Sequence, residues 1–464
     1  MDPGYGPRAG ATFRALIEDL RRDEETAAAK LGLEVVSLRE MLAGERPIPP
    51  EILRRAVRRL PVNRRDLPPL HDDCPDGVRL MRRSESAASR RVVRRRGRDC
   101  YEYRDTATSR LCAFRPEWIR MLQVVDGEDP DDPRVAWDRG QLLHQFTYIV
   151  GDINYYFEWA GRRSCAAMRA GDSVWARPFA PHGFAARGSD RPSFILALTY
   201  GVGLVGDVQH ELAALGVDAA RRYALPVADG AAAGAALLRM HAGDAGLTAG
   251  ALARLAELPA ARIQSLLDGA TQPANGEVEW LAEALGVHAR ELLPPIMDLT
   301  EGVRIQRAGE SPRWGYPDER EPHYRLSRLA GSRLHPSTRA LEVEVRAACG
   351  GEAASLETGL HQYVYCLGPG PVRFGWSVDG RGFEDVMETG DSAYVKPFVP
   401  HRWWRPSPAR AAWLLVLRVP GKVRADAMTE LGAMPAEAMA RAVAEARHLS
   451  DTAASQARAA AGES

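Results

Sequence analysis

Two short histidine-bearing segments occur twice in this chain. His144-Gln145-Phe146 returns as His361-Gln362-Tyr363, and Pro178-Phe179-Ala180-Pro181-His182 returns as Pro397-Phe398-Val399-Pro400-His401. Imidazole is a common metal ligand, and a side-chain amide can add a weak neutral donor. The same groups also serve as buried hydrogen-bonded residues, so each His and Gln carries both readings. A second chemically loaded stretch is Arg82 to Arg98, which is densely basic. It is either a solvated face or an anion-binding lip, because guanidinium forks suit phosphate-like oxyanions. The cysteines, Cys74, Cys100, Cys112, Cys165, Cys349 and Cys366, form no Cys-x-x-Cys pair. They show no zinc-site spacing and are read as reduced thiols.

The elements that must position these residues are themselves duplicated. Ala28, Leu31, Leu33, Leu38, Leu42 and Gly44 match Ala253, Ala256, Leu258, Ile263, Leu267 and Gly269 at an offset of 225. Gly171-Asp172-Ser173 matches Gly390-Asp391-Ser392 at an offset of 219. Four ordered matches at nearly one offset make the chain an internal repeat. The first part of each repeat has helical spacing, with Gly32 and Gly44 where helices should stop. It reads as a small helix-turn-helix bundle. The second part is strand-rich: Phe146-Thr147-Tyr148-Ile149-Val150 and Val174-Trp175-Ala176 sit between Gly, Pro and Asp breakers. Many short strands of this kind suggest a jelly-roll or cupin β-barrel.

The expected class is therefore α+β, a tandem repeat of helical bundle plus cupin/jelly-roll barrel. The expected boundaries are 1–75 for bundle 1, 76–204 for barrel 1, 205–300 for linker helices and bundle 2, 301–420 for barrel 2, and 421–464 for a helical tail. Lys plus Arg and Asp plus Glu each total 61, so the formal net charge is zero. A nucleic-acid binder usually shows a basic excess, so neutrality argues against that partner. No apolar run reaches the roughly 18 residues of a membrane span, and the first residues lack signal-peptide order. The cytoplasm is the expected compartment, and homo-oligomerisation is left open.

Three longer stretches carry a resemblance. They are Tyr101-Glu102-Tyr103-Arg104-Asp105-Thr106-Ala107, Pro116-Glu117-Trp118-Ile119-Arg120-Met121, and Gly140-Gln141-Leu142-Leu143-His144-Gln145-Phe146-Thr147-Tyr148. Together they resemble the 2-hydroxyethylphosphonate dioxygenase and methylphosphonate synthase family, with hydroxypropylphosphonate epoxidase as a more distant relative. The resemblance implies one Fe(II) in the first barrel, O2 as co-substrate, no 2-oxoglutarate, and a small phosphonate substrate. It places His182 and Gln145 on two iron-ligand positions. The remaining ligand, a His in the family, falls on Gln141, and an Asn of the pattern is replaced by Asp138-Arg139.

A non-haem Fe(II) oxygenase needs three protein donors on one face and open positions for O2 and a chelating substrate. On a strand, residues 141 and 145 would point the same way. The metal set expected from the resemblance is Gln141, Gln145 and His182. Arg95, Arg96, Arg21, Arg22, Asp138 and Lys396 are expected to bind the substrate, and Tyr101 and Tyr103 to take catalytic parts. His144 should face away from Gln145. The second barrel, with Thr358 at the first ligand position, is expected to be structural. The activity that follows is carbon–carbon cleavage of a small phosphonate such as 2-hydroxyethylphosphonate. Its competitors are a degenerate non-catalytic homologue binding a small anion and a helix-turn-helix/cupin transcriptional regulator.

Overall fold

Residues 144–150 show how the sequence dictates the architecture. In the computed structural model, which describes residues 5–62, 72–95, 97–112, 114–188, 192–295, 297 and 302–440, this stretch is a strand buried on both faces. Ile149 and the residues in phase with it face one apolar core, while Phe146 and Tyr148 face another. A strand covered on both sides cannot show a simple apolar–polar alternation.

The strands run in chain order as β1 (Val78–Met81), β2 (Arg91–Arg95), β3 (Arg98–Asp105), β4 (Phe114–Met121), β5 (His144–Val150), β6 (Ile153–Trp159), β7 (Arg162–Met168), β8 (Ser173–Ala176), β9 (His182–Ala186) and β10 (Phe194–Tyr200). They continue as β11 (Val303–Gln306), β12 (Arg313–Tyr316), β13 (Tyr324–Arg328), β14 (Arg339–Val345), β15 (His361–Pro369), β16 (Val372–Val378), β17 (Arg381–Met387), β18 (Ser392–Val395), β19 (His401–Trp404) and β20 (Ala412–Val419). One seven-stranded sheet has the order β11-β8-β5-β10-β4-β3-β2, and the other β1-β18-β15-β20-β14-β13-β12. The three-stranded sheets are β7-β6-β9 and β17-β16-β19. Each strand of the first repeat maps onto the strand ten labels later, so the sequence duplication is a duplication of topology.

Each seven-stranded sheet shares a core with its three-stranded sheet, Ile149, Tyr155, Phe184 and Ile195 in the first and Val364, Phe374, Trp403 and Val416 in the second. The two sheets of each pair are separate hydrogen-bonded sheets, so the expected barrels are cupin-like sandwiches. The other faces of the two large sheets pack on each other through Phe146, Trp175 and Tyr200 against Tyr363, Tyr394 and Leu417.

The repeats exchange their end strands. β1 pairs with β18, and β11 pairs with β8. The Gly-Asp-Ser motifs secure the exchange. Asp391 accepts hydrogen bonds from Arg82 (3.1 Å) and the backbone of Arg83, and Asp172 accepts from Arg307 (2.8 Å) and the backbone of Ala308. Ser392 Oγ accepts from Ala107 N–H and Ser173 Oγ from Ala330 N–H, both at 2.9 Å. The serine bonds are buried and the two arginine–aspartate bonds are charge-assisted, the kind that fixes a register.

The helical parts end where the glycines required. Gly32 and Gly44 take left-handed φ values of 65° and 77° at the ends of helices Glu24–Leu31 and Val35–Ala43. The second bundle, Gly230–Asp244, Ala249–Leu255, Ala260–Leu267 and Asn275–Leu285, buries Leu252, Ile263 and Leu281. Residues 1–73 with 422–464 form one unit and 74–421 another. The first unit holds the N-terminal bundle around Phe13, Leu31, Leu38 and Ile52. Helix Ala425–Ala433 falls in the expected tail, whose residues 441–464 lie outside the described ones. Among the described residues no helix is long and apolar enough to cross a membrane.

Candidate active site

The first sandwich contains a cavity of ≈ 130 Å³ between its sheets. Gln141, Gln145 and His182 all line it, together with Arg95, Tyr101, Tyr103 and Asp138. Glu117 and Thr199 complete its polar wall.

Each donor is placed by a different local device. Gln145 lies on β5, and its Nε2 donates to Thr147 Oγ1 at 3.1 Å. The amide oxygen is thereby left as its acceptor end. His182 is the first residue of β9, and its backbone pairs with Asp138 through bonds of 2.7 and 3.1 Å. Its Nδ1 lies 2.9 Å from the Ala180 carbonyl, which fixes the N–H there and leaves the Nε2 lone pair for other use. Burial holds the His182 ring below the usual imidazole range, so it is neutral and competent to ligate.

Gln141 is positioned otherwise than the strand argument required. β5 begins only at His144, so Gln141 belongs to the loop before it and is exposed at the rim. Gly140 makes that loop: its φ is +73°, and a Cβ there would lie 2.8 Å from Phe179 Cα. The Gln141 carbonyl then accepts the Phe179 N–H at 2.9 Å. Phe179, with φ 57°, is itself left-handed, as is its repeat partner Phe398. His144 does face away, stacking on Trp175 with ring centroids 5.3 Å apart and lying 4.1 Å from His335.

The basic segment is largely committed to carboxylates. Arg95 pairs with Asp138 and donates to the Trp137 carbonyl at 2.5 Å. Arg91 bridges Asp105 at 2.6 Å and Glu117 at 2.7 Å. Burial opposes the Asp138 charge, but Arg95 and the Gly140 N–H outweigh it and hold the carboxyl below its usual range. At Glu117 burial prevails over Arg91, and the carboxyl is raised. Tyr103 is pushed up to about 12 by burial, with Arg91 5.5 Å from its ring centre. The Tyr101 hydroxyl is tied to the backbone, lying 3.2 Å from the Ala136 carbonyl and 3.1 Å from that of Phe184, and it accepts the Phe184 N–H.

Among the expected residues described in this unit, Lys396 is not brought to this cavity. It follows β18 in the second sandwich, where its N–H bonds the Gly77 carbonyl. Arg21 and Arg22 follow helix Tyr5–Asp19 in the separate first unit. Arg96 lies outside the described residues. Sequence reasoning missed Glu117 and Thr199. Glu117 was legible as an acidic residue in phase with the inward-facing Ile119 and Met121.

The donor chemistry fits a divalent cation: one neutral imidazole and two side-chain amides border one cavity. Among the described residues no group of three His, Cys, Asp or Glu could hold a metal elsewhere. The three donors are uncharged, so an ion placed there would keep its charge for an anionic ligand.

Comparison with known proteins finds relatives that match 95–96% of the chain. A helix-turn-helix domain model matches residues 235–294. Methylphosphonate synthase of Nitrosopumilus maritimus (strain SCM1) is 35% identical over 446 residues, covering 95% of each chain. The structure of Streptomyces albus 2-hydroxyethylphosphonate dioxygenase, with 2-hydroxyethylphosphonate and Fe(II) bound, is 43% identical with a TM-score of 0.90. That match covers 96% of this chain and 99% of the other. A further 2-hydroxyethylphosphonate dioxygenase structure, 20% identical with a TM-score of 0.70 over 92% of this chain and 98% of the other, shares the fold. On these grounds the chain belongs to the 2-hydroxyethylphosphonate dioxygenase and methylphosphonate synthase family.

Proposed function

We propose that this protein is an Fe(II)- and O2-dependent oxygenase that cleaves the carbon–carbon bond of a small phosphonate such as 2-hydroxyethylphosphonate. The observation that carries the reading is the convergence of Gln141, Gln145 and His182 on one cavity that also presents Arg95. Gln141, Gln145 and His182 would hold the metal, which when bound supplies one-electron chemistry toward O2. The neutral donor set makes the phosphonate dianion part of what holds the ion, because opposite charges attract strongly where water is scarce.

The chain's own groups do the rest. Arg95 is half-buried and already fixed by Asp138, so it offers a preorganised guanidinium to the phosphonate oxygens. Tyr103 adds a hydroxyl on the same wall. Tyr101 lines the cavity beside it and also holds the strand that carries His182 and Phe184, so its hydroxyl adds a positioning part to the catalytic one expected of it. Glu117, whose raised carboxyl lies between Arg91 and the cavity, is suited to take or give a proton near the substrate. A cavity of ≈ 130 Å³ suits a ligand of a few heavy atoms and excludes large ones.

The test is anaerobic Fe(II) loading of the full chain, followed by O2 uptake with and without 2-hydroxyethylphosphonate and identification of phosphorus-containing products. Phosphonate-dependent uptake with a one-carbon-shorter phosphorus product is expected. Phosphonate binding without uptake would instead favour a non-catalytic anion binder, the reading that Gln141 motivates.

A further inference from the structure

The two sandwiches share one scaffold, so a difference at one equivalent position isolates what that position does. Gln362 and His401 in the second stand where Gln145 and His182 stand in the first. Both are buried, at 0% and 2% exposure. Unlike their counterparts they are locked to each other. His401 Nδ1 bonds the Val399 carbonyl at 2.8 Å, and Gln362 Nε2 lies 3.0 Å from His401 Nε2. With the ring N–H on Nδ1, the amide donates to Nε2 and consumes the lone pair that a metal would need. The amide oxygen is consumed too: Arg418 Nε donates to Gln362 Oε1 at 2.8 Å.

Register fixes the counterpart of Arg418. Arg418 pairs with Gln362 across β15 and β20, and Thr199 pairs with Gln145 across β5 and β10. Thr199 lines the first cavity, with its hydroxyl turned to the Arg115 carbonyl at 3.4 Å. A short side chain thus stands beside Gln145 where a guanidinium stands beside Gln362.

We propose that Arg418 is a built-in cation that closes the second sandwich, standing in for a divalent ion against Gln362, and that Thr199 is the residue that leaves the first sandwich open to metal. The inference rests on the assignment of a metal to the first cavity. The amide oxygen facing the site has the same requirement in both repeats, a positive partner. In the second repeat the chain's own guanidinium supplies it through a hydrogen bond, and the imidazole is then satisfied by the amide N–H. A guanidinium and a divalent ion cannot share the space, because two like charges a few ångströms apart repel strongly in a partly dry site.

The experiment is anaerobic equilibrium dialysis of Fe(II), with metal analysis, on the full-length wild type, Thr199→Arg, Thr199→Val and Arg418→Thr, with folding followed by circular dichroism and melting. The wild type should bind about one ion per chain, Thr199→Val should keep it, and Thr199→Arg should lose it while still folded. Arg418→Thr should take up a second, weaker ion at saturating metal. Retention of wild-type binding by folded Thr199→Arg overturns the proposal, as does a folded Arg418→Thr that stays at one ion. Should Thr199→Arg fail to fold, Arg418→Thr decides. A wild type that binds no Fe(II) refutes the metal assignment in the first cavity instead, so the two failures are distinct.

Discussion

Replacing Gln141 by His should tighten Fe(II) binding at the first cavity. The side chain is exposed at the cavity rim, and the loop is held by its backbone bond to Phe179 and by Gly140. The substitution therefore costs little folding stability, within about 0.5 kcal/mol as for other surface changes. The gain comes from exchanging an amide oxygen for an imidazole, a much better iron donor. Changes outside the coordination sphere already move metal affinity by about 10–100-fold, so a ligand exchange should give at least about tenfold. Tenfold is about 1.4 kcal/mol, which at saturating metal adds the same amount to the stability of the folded state. The assay is an anaerobic titration followed by absorbance with Co(II) as probe, repeated as Fe(II)-dependent melting. Thr358→His in the second sandwich is the matched control and should give no gain while Arg418 bonds Gln362. Equal Co(II) and Fe(II) affinities for wild type and Gln141→His would refute the placement of this residue on the metal.

Arg95→Gln should weaken 2-hydroxyethylphosphonate binding by about 1.5–3 kcal/mol, roughly 10–150-fold, read by calorimetry on the metal-loaded protein, since a charge-assisted bond is lost and Asp138 keeps only the Gly140 N–H as partner; an unchanged affinity removes Arg95 from the substrate site. Tyr101→Phe should lower unfolding free energy by about 1–3 kcal/mol, measured by denaturant, because the Phe184 N–H loses its buried acceptor; a neutral result would show that the hydroxyl does not hold β9. Burial holds His144 down to about 3, with His335 and Arg177 adding to it, against a normal unfolded value of about 6.5. The unfolded chain then binds the extra proton between these values, so stability is complete above about pH 6.5 and falls as pH drops toward 3, by up to about 1.4 kcal/mol per unit. His144→Gln should flatten that part of the stability profile, and an unchanged slope would contradict the buried neutral imidazole.

Much of this was legible in the sequence, and the rest was hidden for identifiable reasons. The repeat was visible because offsets of 217 to 225 recur through helices, strands and the Pro-Phe-x-Pro-His segment. The exchange of β1 and β11 was not, because pairing between distant segments leaves no local signal. Gln145 and His182 could be assigned to one cavity from the family resemblance, and both line it. Gln141 reached it for another reason than expected, a left-handed glycine and a backbone bond to Phe179 instead of strand phase. The Arg82–Arg98 segment was readable as basic, but its ion pairs with Asp138, Glu117 and Asp385 were not, since they join residues far apart in the chain. Thr199 could have been found by carrying the repeat alignment on to Arg418, which differs from it in charge at a position where the scaffold does not differ.

The most direct test of the central claim is to locate the metal. Crystals of the full chain grown anaerobically with Fe(II) and 2-hydroxyethylphosphonate should show one anomalous peak at the iron edge, between the side chains of Gln141, Gln145 and His182, with the phosphonate against Arg95. A peak elsewhere, or an empty first cavity under saturating Fe(II) and phosphonate, contradicts the assignment.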